Sequence, residues 1–143
     1  MLSKGIGLLG ILLVLSIGLT PAFGLTELER VTINDPRLEN AFGSSLGNLI
    51  NVDQQVQISV DVTNHQERSQ NFIYLVQIKN ETGVVVSLGW ISGQLTPDQK
   101  FSPSLSWIPK ESGEFTAEIF VWEGFPVNHK ALSEYTILQI NVS

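Results

Sequence analysis

The chain has 143 residues, 43% of them hydrophobic and 15% charged, with 14 acidic against 8 basic side chains. That length suits one domain with a short appendage. The net charge of -6 argues against the clustered Lys and Arg that nucleic acid or an anionic membrane requires, and the absence of Cys excludes disulfides, thiolate catalysis, Cys-ligated zinc and iron–sulfur clusters.

Residues 1–24 read as a targeting segment. Lys4 is the only charge before Glu27, and a largely apolar stretch follows at 5–19. Pro21 then breaks any helix, and Ala22 and Gly24 put small residues at the minus-three and minus-one positions of a cleavage site. A positive start, an apolar centre and a small-residue exit make a secretory signal peptide. The competing reading is an uncleaved membrane anchor, because residues 5–26 carry no charge and a bilayer needs about 20 apolar residues. Either way the chain is expected to be exported, extracellular or on the cell surface, and to meet a membrane only through this segment.

Beyond it the apolar residues alternate. Val56, Ile58, Val60 and Val62 face one way and Gln57, Ser59, Asp61 and Thr63 the other, the pattern of a half-buried strand. In the next run, at 70–79, Phe72, Tyr74, Val76 and Ile78 share a face while Ile73 and Leu75 lie opposite, which predicts a central strand covered on both sides. A turn at 80–83 leads to a β-branched run at 84–90. Phe101, Pro103, Leu105 and Trp107 alternate with serines, and Pro103 places that strand at an edge or a bulge. Phe115, Ala117, Ile119 and Val121 form one face of a further strand, with Phe120 and Trp122 on the other. A long loop at 123–131 precedes a last strand within 133–142. With a first strand near 37–42, these make about seven strands at the spacing of a sandwich. The reading is all-β: an Ig-like two-sheet antiparallel sandwich at 35–143, a leader at 25–34, and a signal or anchor helix at 1–24.

Three segments carry a family resemblance: residues 56–64 running into Asn64, residues 95–101, and Trp107-Ile108-Pro109 followed by Gly113 and Phe115. Together they resemble the Ig-like repeats of prokaryotic exported and cell-surface proteins, similar to the cell-adhesion-related domains of bacteria and archaea. The resemblance covers roughly residues 45–143 and implies an extracellular binding or structural module. It supplies no shared catalytic residues, so none are carried over.

No catalytic or cofactor motif is present. His65 and His129 sit in expected loops without the spacing of a metal site. Asn34, Asp35, Asp53 and Asp61 lack the alternation of a calcium loop, and no Gly-x-Ser-x-Gly or phosphate loop occurs. No enzyme activity, cofactor or metal is expected. Asn80-Glu81-Thr82 is a glycosylation sequon on a turn. Trp107 and Phe115 are expected in the core, where Trp90 is a further candidate. Trp122, Phe120 and Phe125 are the candidate partner-binding residues, because exposed aromatics are enriched at interfaces. The function expected is a non-enzymatic module binding a protein or glycan at the cell envelope. The alternative is a subunit of an envelope fibre or sheath, in which Leu28, Val31 and Ile33 of the leader add as a strand to a neighbour.

Overall fold

The computed structural model describes residues 25–125 and 130–143; the targeting segment 1–24 and His129 lie outside the described residues. The described residues form ten strands, the longer of them on alternating apolar residues: β1 (Val31–Glu39), β2 (Ser45–Leu46), β3 (Leu49–Ile50), β4 (Val56–Asn64), β5 (Gln70–Lys79), β6 (Val85–Leu95), β7 (Lys100–Phe101), β8 (Ser104–Trp107), β9 (Gly113–Trp122) and β10 (Thr136–Val142). One sheet runs β2-β1-β4, with β7 and β8 both on the far side of β4, and the other runs β3-β10-β9-β5-β6. All pairs are antiparallel except β3 with β10. This is the Ig-like two-sheet sandwich that the periodicity predicts. The two-residue strands β2 and β3 are too short to show a period, and Ser102 and Pro103 split the 101–107 run into β7 and β8 at the sheet edge. Among the described residues no helix is long and apolar enough to cross a membrane.

The core lies between the sheets. Val56, Ile58, Val60 and Val62 of β4 face Phe72, Tyr74, Val76 and Ile78 of β5 and Phe115, Ala117, Ile119 and Val121 of β9. Two edge-to-face aromatic pairs cross the gap: Trp107 with Phe115, centroids 5.3 Å apart, and Phe72 with Phe101 at 5.8 Å. Trp107 and Phe115 are therefore core residues, as expected. The turn between β4 and β5 is held by buried amides rather than by solvent. Asn64 Nδ2 donates to the carbonyls of Arg68 (2.9 Å) and Thr96 (3.0 Å), and Gln66 Nε2 donates to Gln70 Oε1 at 3.0 Å.

The first strand differs from the expectation. It begins at Val31, inside the segment read as a leader, rather than near residue 37. Val31 is fully buried and Ile33 packs on the core, both paired with β4. Asp35, at φ 52°, and Pro36 then form a bulge between Asn34 and Arg37. Beyond it the core-facing residue is Leu38, so the inward phase passes from odd to even positions. A two-residue period interrupted in mid-strand does not read as one strand. The same fact corrects the basis offered for strand addition: Val31 and Ile33 are used within this fold, and of that trio only Leu28 stays half exposed.

Tyr74 is the largest fully buried side chain. Its hydroxyl donates to the Ile58 carbonyl across the sandwich at 2.8 Å, and burial pushes the phenol well above its ordinary pKa. A phenol whose pKa is raised on folding stabilises fully below the unfolded value and loses that contribution as pH rises beyond it. Stability is therefore expected to fall above about pH 10, by up to roughly 1.4 kcal/mol per pH unit. Tyr74→Phe is expected to cost about 1–2 kcal/mol at neutral pH, the scale of one buried hydrogen bond, and to flatten the alkaline limb. Urea melts of both proteins at neutral pH and at high pH measure both effects.

Candidate binding face

Because Phe115, Ala117, Ile119 and Val121 point into the core, the alternate residues of β9 point away from it. The outer face of the β3-β10-β9-β5-β6 sheet therefore receives Thr116, Glu118, Phe120 and Trp122. The register sets Trp122 opposite Ile73 and Phe120 opposite Leu75 on β5, and Trp90 of β6 opposite Leu75 from the other side. Ile73 and Leu75 are nearly fully buried although they lie on this outer face. The flanking aromatics close over them and make a thin second apolar layer outside the main core.

The rings in this layer are in contact. Phe120 packs against Trp122 with centroids 5.2 Å apart and stacks on Tyr135 at 5.5 Å, and Phe125 meets Trp90 edge to face at 5.3 Å. The loop that brings Phe125 is closed at its base by the Glu123 N–H to Lys130 carbonyl bond (2.8 Å), the Leu132 N–H to Val121 carbonyl bond (3.0 Å) and a bridge between Trp122 and Ala131. A largely apolar groove of about 500 Å³ runs beside these rings, walled by Leu28, Phe120, Trp122, Ala131 and Tyr135. At the margin Glu118 accepts from Lys79 Nζ (2.7 Å) and Gln77 Nε2 (3.2 Å). The Lys79 bond, and then that of Gln77 against the opposing effect of burial, holds the Glu118 carboxyl below the usual carboxylate range. The charge beside the rings is thereby neutralised.

The structure thus brings Phe120 and Trp122 together and leaves both half-buried. Phe125 joins Trp90 rather than that pair. Trp90, named as a core candidate, is 50% exposed on the outer face. Tyr135 (58% exposed) and Ile137 (49%) belong to the same face and were missed. Their signal was present, since the inward Leu138 and Ile140 imply outward neighbours at odd positions. Asn80 tips the β5–β6 turn, where its Oδ1 accepts from the Thr82 N–H (3.1 Å), the Thr82 hydroxyl (2.8 Å) and the Val84 N–H (3.0 Å). Gly83 adopts φ 81°, the left-handed geometry that favours glycine.

The other expected clusters divide. Asp35 and Asp61 both reach Arg37 Nη1, at 3.3 and 3.1 Å, while Asp53 pairs with Lys110 at 3.0 Å elsewhere. The Ser102 hydroxyl, and then Arg37 against the opposing effect of burial, holds Asp61 below the usual carboxylate range. His65 Nε2 lies 2.9 Å from the Thr32 hydroxyl. Among the described residues no group of three or more His, Asp or Glu is placed to hold a metal ion.

No family model matches the chain, and no match is found among curated protein sequences. Solved structures do match. The C-terminal domain of wzt superposes with a TM-score of 0.66 at 16% identity, over 80% of this chain and 74% of that one. The CARDB domain of the PF1109 protein from Pyrococcus furiosus, in complex with di-metal ions, gives 0.55 at 15% identity over 83% and 97%. A β-glucosidase from Erythrobacter marinus gives 0.55 at 14% identity, over 79% of this chain but 15% of its own. These likenesses establish the fold, an Ig-like β-sandwich.

Trp122 sits between the surface and the core in energetic terms. Trp122→Ala is expected to lower stability by about 2 kcal/mol, above the ~0.5 kcal/mol of surface changes and below the ~3–5 kcal/mol of a core Trp. A urea melt measures it.

Proposed function

We propose that this chain is a non-enzymatic, exported Ig-like module that binds a protein or glycan partner at the cell envelope through the outer face of the β3-β10-β9-β5-β6 sheet. Phe120, Trp122 and Phe125 are its anchors. The observation that carries the reading is the surplus of exposed aromatic surface. Covering Ile73 and Leu75 accounts for part of the layer, yet Trp90, Phe125, Tyr135 and Ile137 each remain about half exposed. Soluble monomers seldom leave contiguous apolar patches beyond a few hundred Å² without a use for them, and aromatics dominate the binding energy of interfaces. Export rests on Lys4, the apolar stretch at 5–19 and the small residues at 22 and 24. The non-enzymatic part rests on the Ig-like neighbours and on the small share of the β-glucosidase that matches.

Asn80 is the candidate glycosylation site. Its turn uses the amide oxygen, so a glycan on Nδ2 is compatible with those bonds. Asn80→Gln is expected to remove a mass increment from protein isolated from its native source; an unmodified native mass excludes the site.

The binding test applies the full chain to envelope fractions, one treated with protease and one with periodate. Binding is expected to disappear in one of the two, which assigns the partner as protein or glycan. Trp122→Ala is expected to weaken binding about 30-fold, the equivalent of ~2 kcal/mol at a hot spot. Equal retention of wild type and Trp122→Ala removes the aromatic face from the function.

A further inference from the structure

A β-sandwich has four sheet edges, and three of those here are blunted. β2 and β3 are two residues long and cover only the ends of β1 and β10. The open remainder of β1, 31–37, is bent by the bulge at Asp35 and Pro36, and that of β10, 136–140, is five residues long. The edge formed by β7 and β8 is interrupted by Pro103. The fourth is β6. It runs for 11 residues, contains no proline, and pairs on one side only, with β5. Between Glu81 and Asp98 no charged residue occurs, the longest uncharged interval among the described residues. Val84, Val85, Val86, Leu88 and Trp90 are each about half exposed along it. Soluble proteins ordinarily guard a long edge with Lys, Pro or a covering loop, because its free N–H and C=O groups template another strand. Among the described residues, β6 is the longest edge without such a guard.

We propose that β6 is the interface for a second copy of this chain, added edge to edge as an antiparallel strand about a two-fold axis. Charge selects the occupant. Two copies of a chain with net charge -6 repel, so self-association is confined to surface without charge, and β6 is the longest such strand edge. Identical strands are self-complementary in the antiparallel sense, and a two-fold contact closes as a dimer rather than a fibre. A pairing centred on Gly89 sets Trp90 of each copy beside Leu88 of the other on the outer face, a favourable cross-strand pair. An 11-residue edge is about 36 Å long, and a contact of that length buries roughly 1,000 Å² in total, the lower limit for a specific interface. The dimer is accordingly concentration-dependent. It joins two five-stranded sheets into one and places their aromatic faces side by side, but it stands independently of what those faces bind.

The absence of native Cys makes single-cysteine cross-linking a clean test in the full chain. With a short bis-maleimide, Leu88→Cys, whose two copies are diagonal neighbours in this register, is expected to give covalent dimers, while Gln139→Cys, exposed on β10, gives none. By sedimentation equilibrium the wild type is expected to dimerise, Leu88→Lys to be monomeric with an unchanged circular dichroism spectrum, and Trp122→Ala to dimerise like the wild type. A wild type that stays monomeric up to about 100 μM, far above the Kd of a micromolar complex, overturns the proposal. So does a dimer that survives Leu88→Lys, one lost in Trp122→Ala, or cross-linking at Gln139→Cys equal to that at Leu88→Cys. Cross-links from Leu88→Cys in cells that form only to a different protein assign the edge to that protein and overturn the second copy as occupant.

Discussion

The bond from the Tyr74 hydroxyl to the Ile58 carbonyl constrains the rest of the sandwich. Tyr74 belongs to β5 and Ile58 to β4, so this single contact joins the two sheets through the middle of the apolar core. A buried phenol requires a partner, and the sheets satisfy this one at one separation and one offset. With Tyr74 inward, its neighbours Ile73 and Leu75 must face outward, and with them the row that Phe120 and Trp90 cover. The aromatic face is thus a geometric consequence of where the Tyr74 hydroxyl points.

Most of this architecture was legible in the sequence because most strands keep a strict two-residue period. β4, β5 and β9 lie close to where alternation put them, and the edge position of the 101–107 run followed from one proline. The start of β1 was not legible, because the Asp35–Pro36 bulge reverses the phase halfway along it. The aromatic face was legible in part. Outward phase marked Phe120 and Trp122, but Trp90 is placed by its register with Leu75. Tyr135 is placed by its stacking on Phe120. The pairings that bring these two rings to the face are long-range facts, although the outward phase of Tyr135 follows from the inward Leu138 and Ile140.

The two outer faces differ sharply in chemistry. Over the β1–β4 sheet, Arg37 gathers Asp35, Glu39 and Asp61, and Ser102 donates to Asp61 at 2.7 Å. That surface is polar, internally paired and suited to water. Over the other sheet a patch of aromatic and aliphatic side chains surrounds Phe120, and Glu118 at its margin is already neutralised by Lys79. One side of the sandwich is finished by its own ion pairs, while the other is left with apolar surface that its own residues only partly cover.

The direction of the first and last strands carries a mechanical consequence. Val31 opens β1 at the pole of Asn64, and Val142 closes β10 at the opposite pole, beside Gly113. Traction applied between these residues acts along both strands. Ladder hydrogen bonds lie across the strand axis, so such a load shears the β1–β4 and β9–β10 ladders along their whole length instead of peeling them open bond by bond. The fold is therefore built to resist extension along its long axis, and it yields most easily to a force applied crosswise.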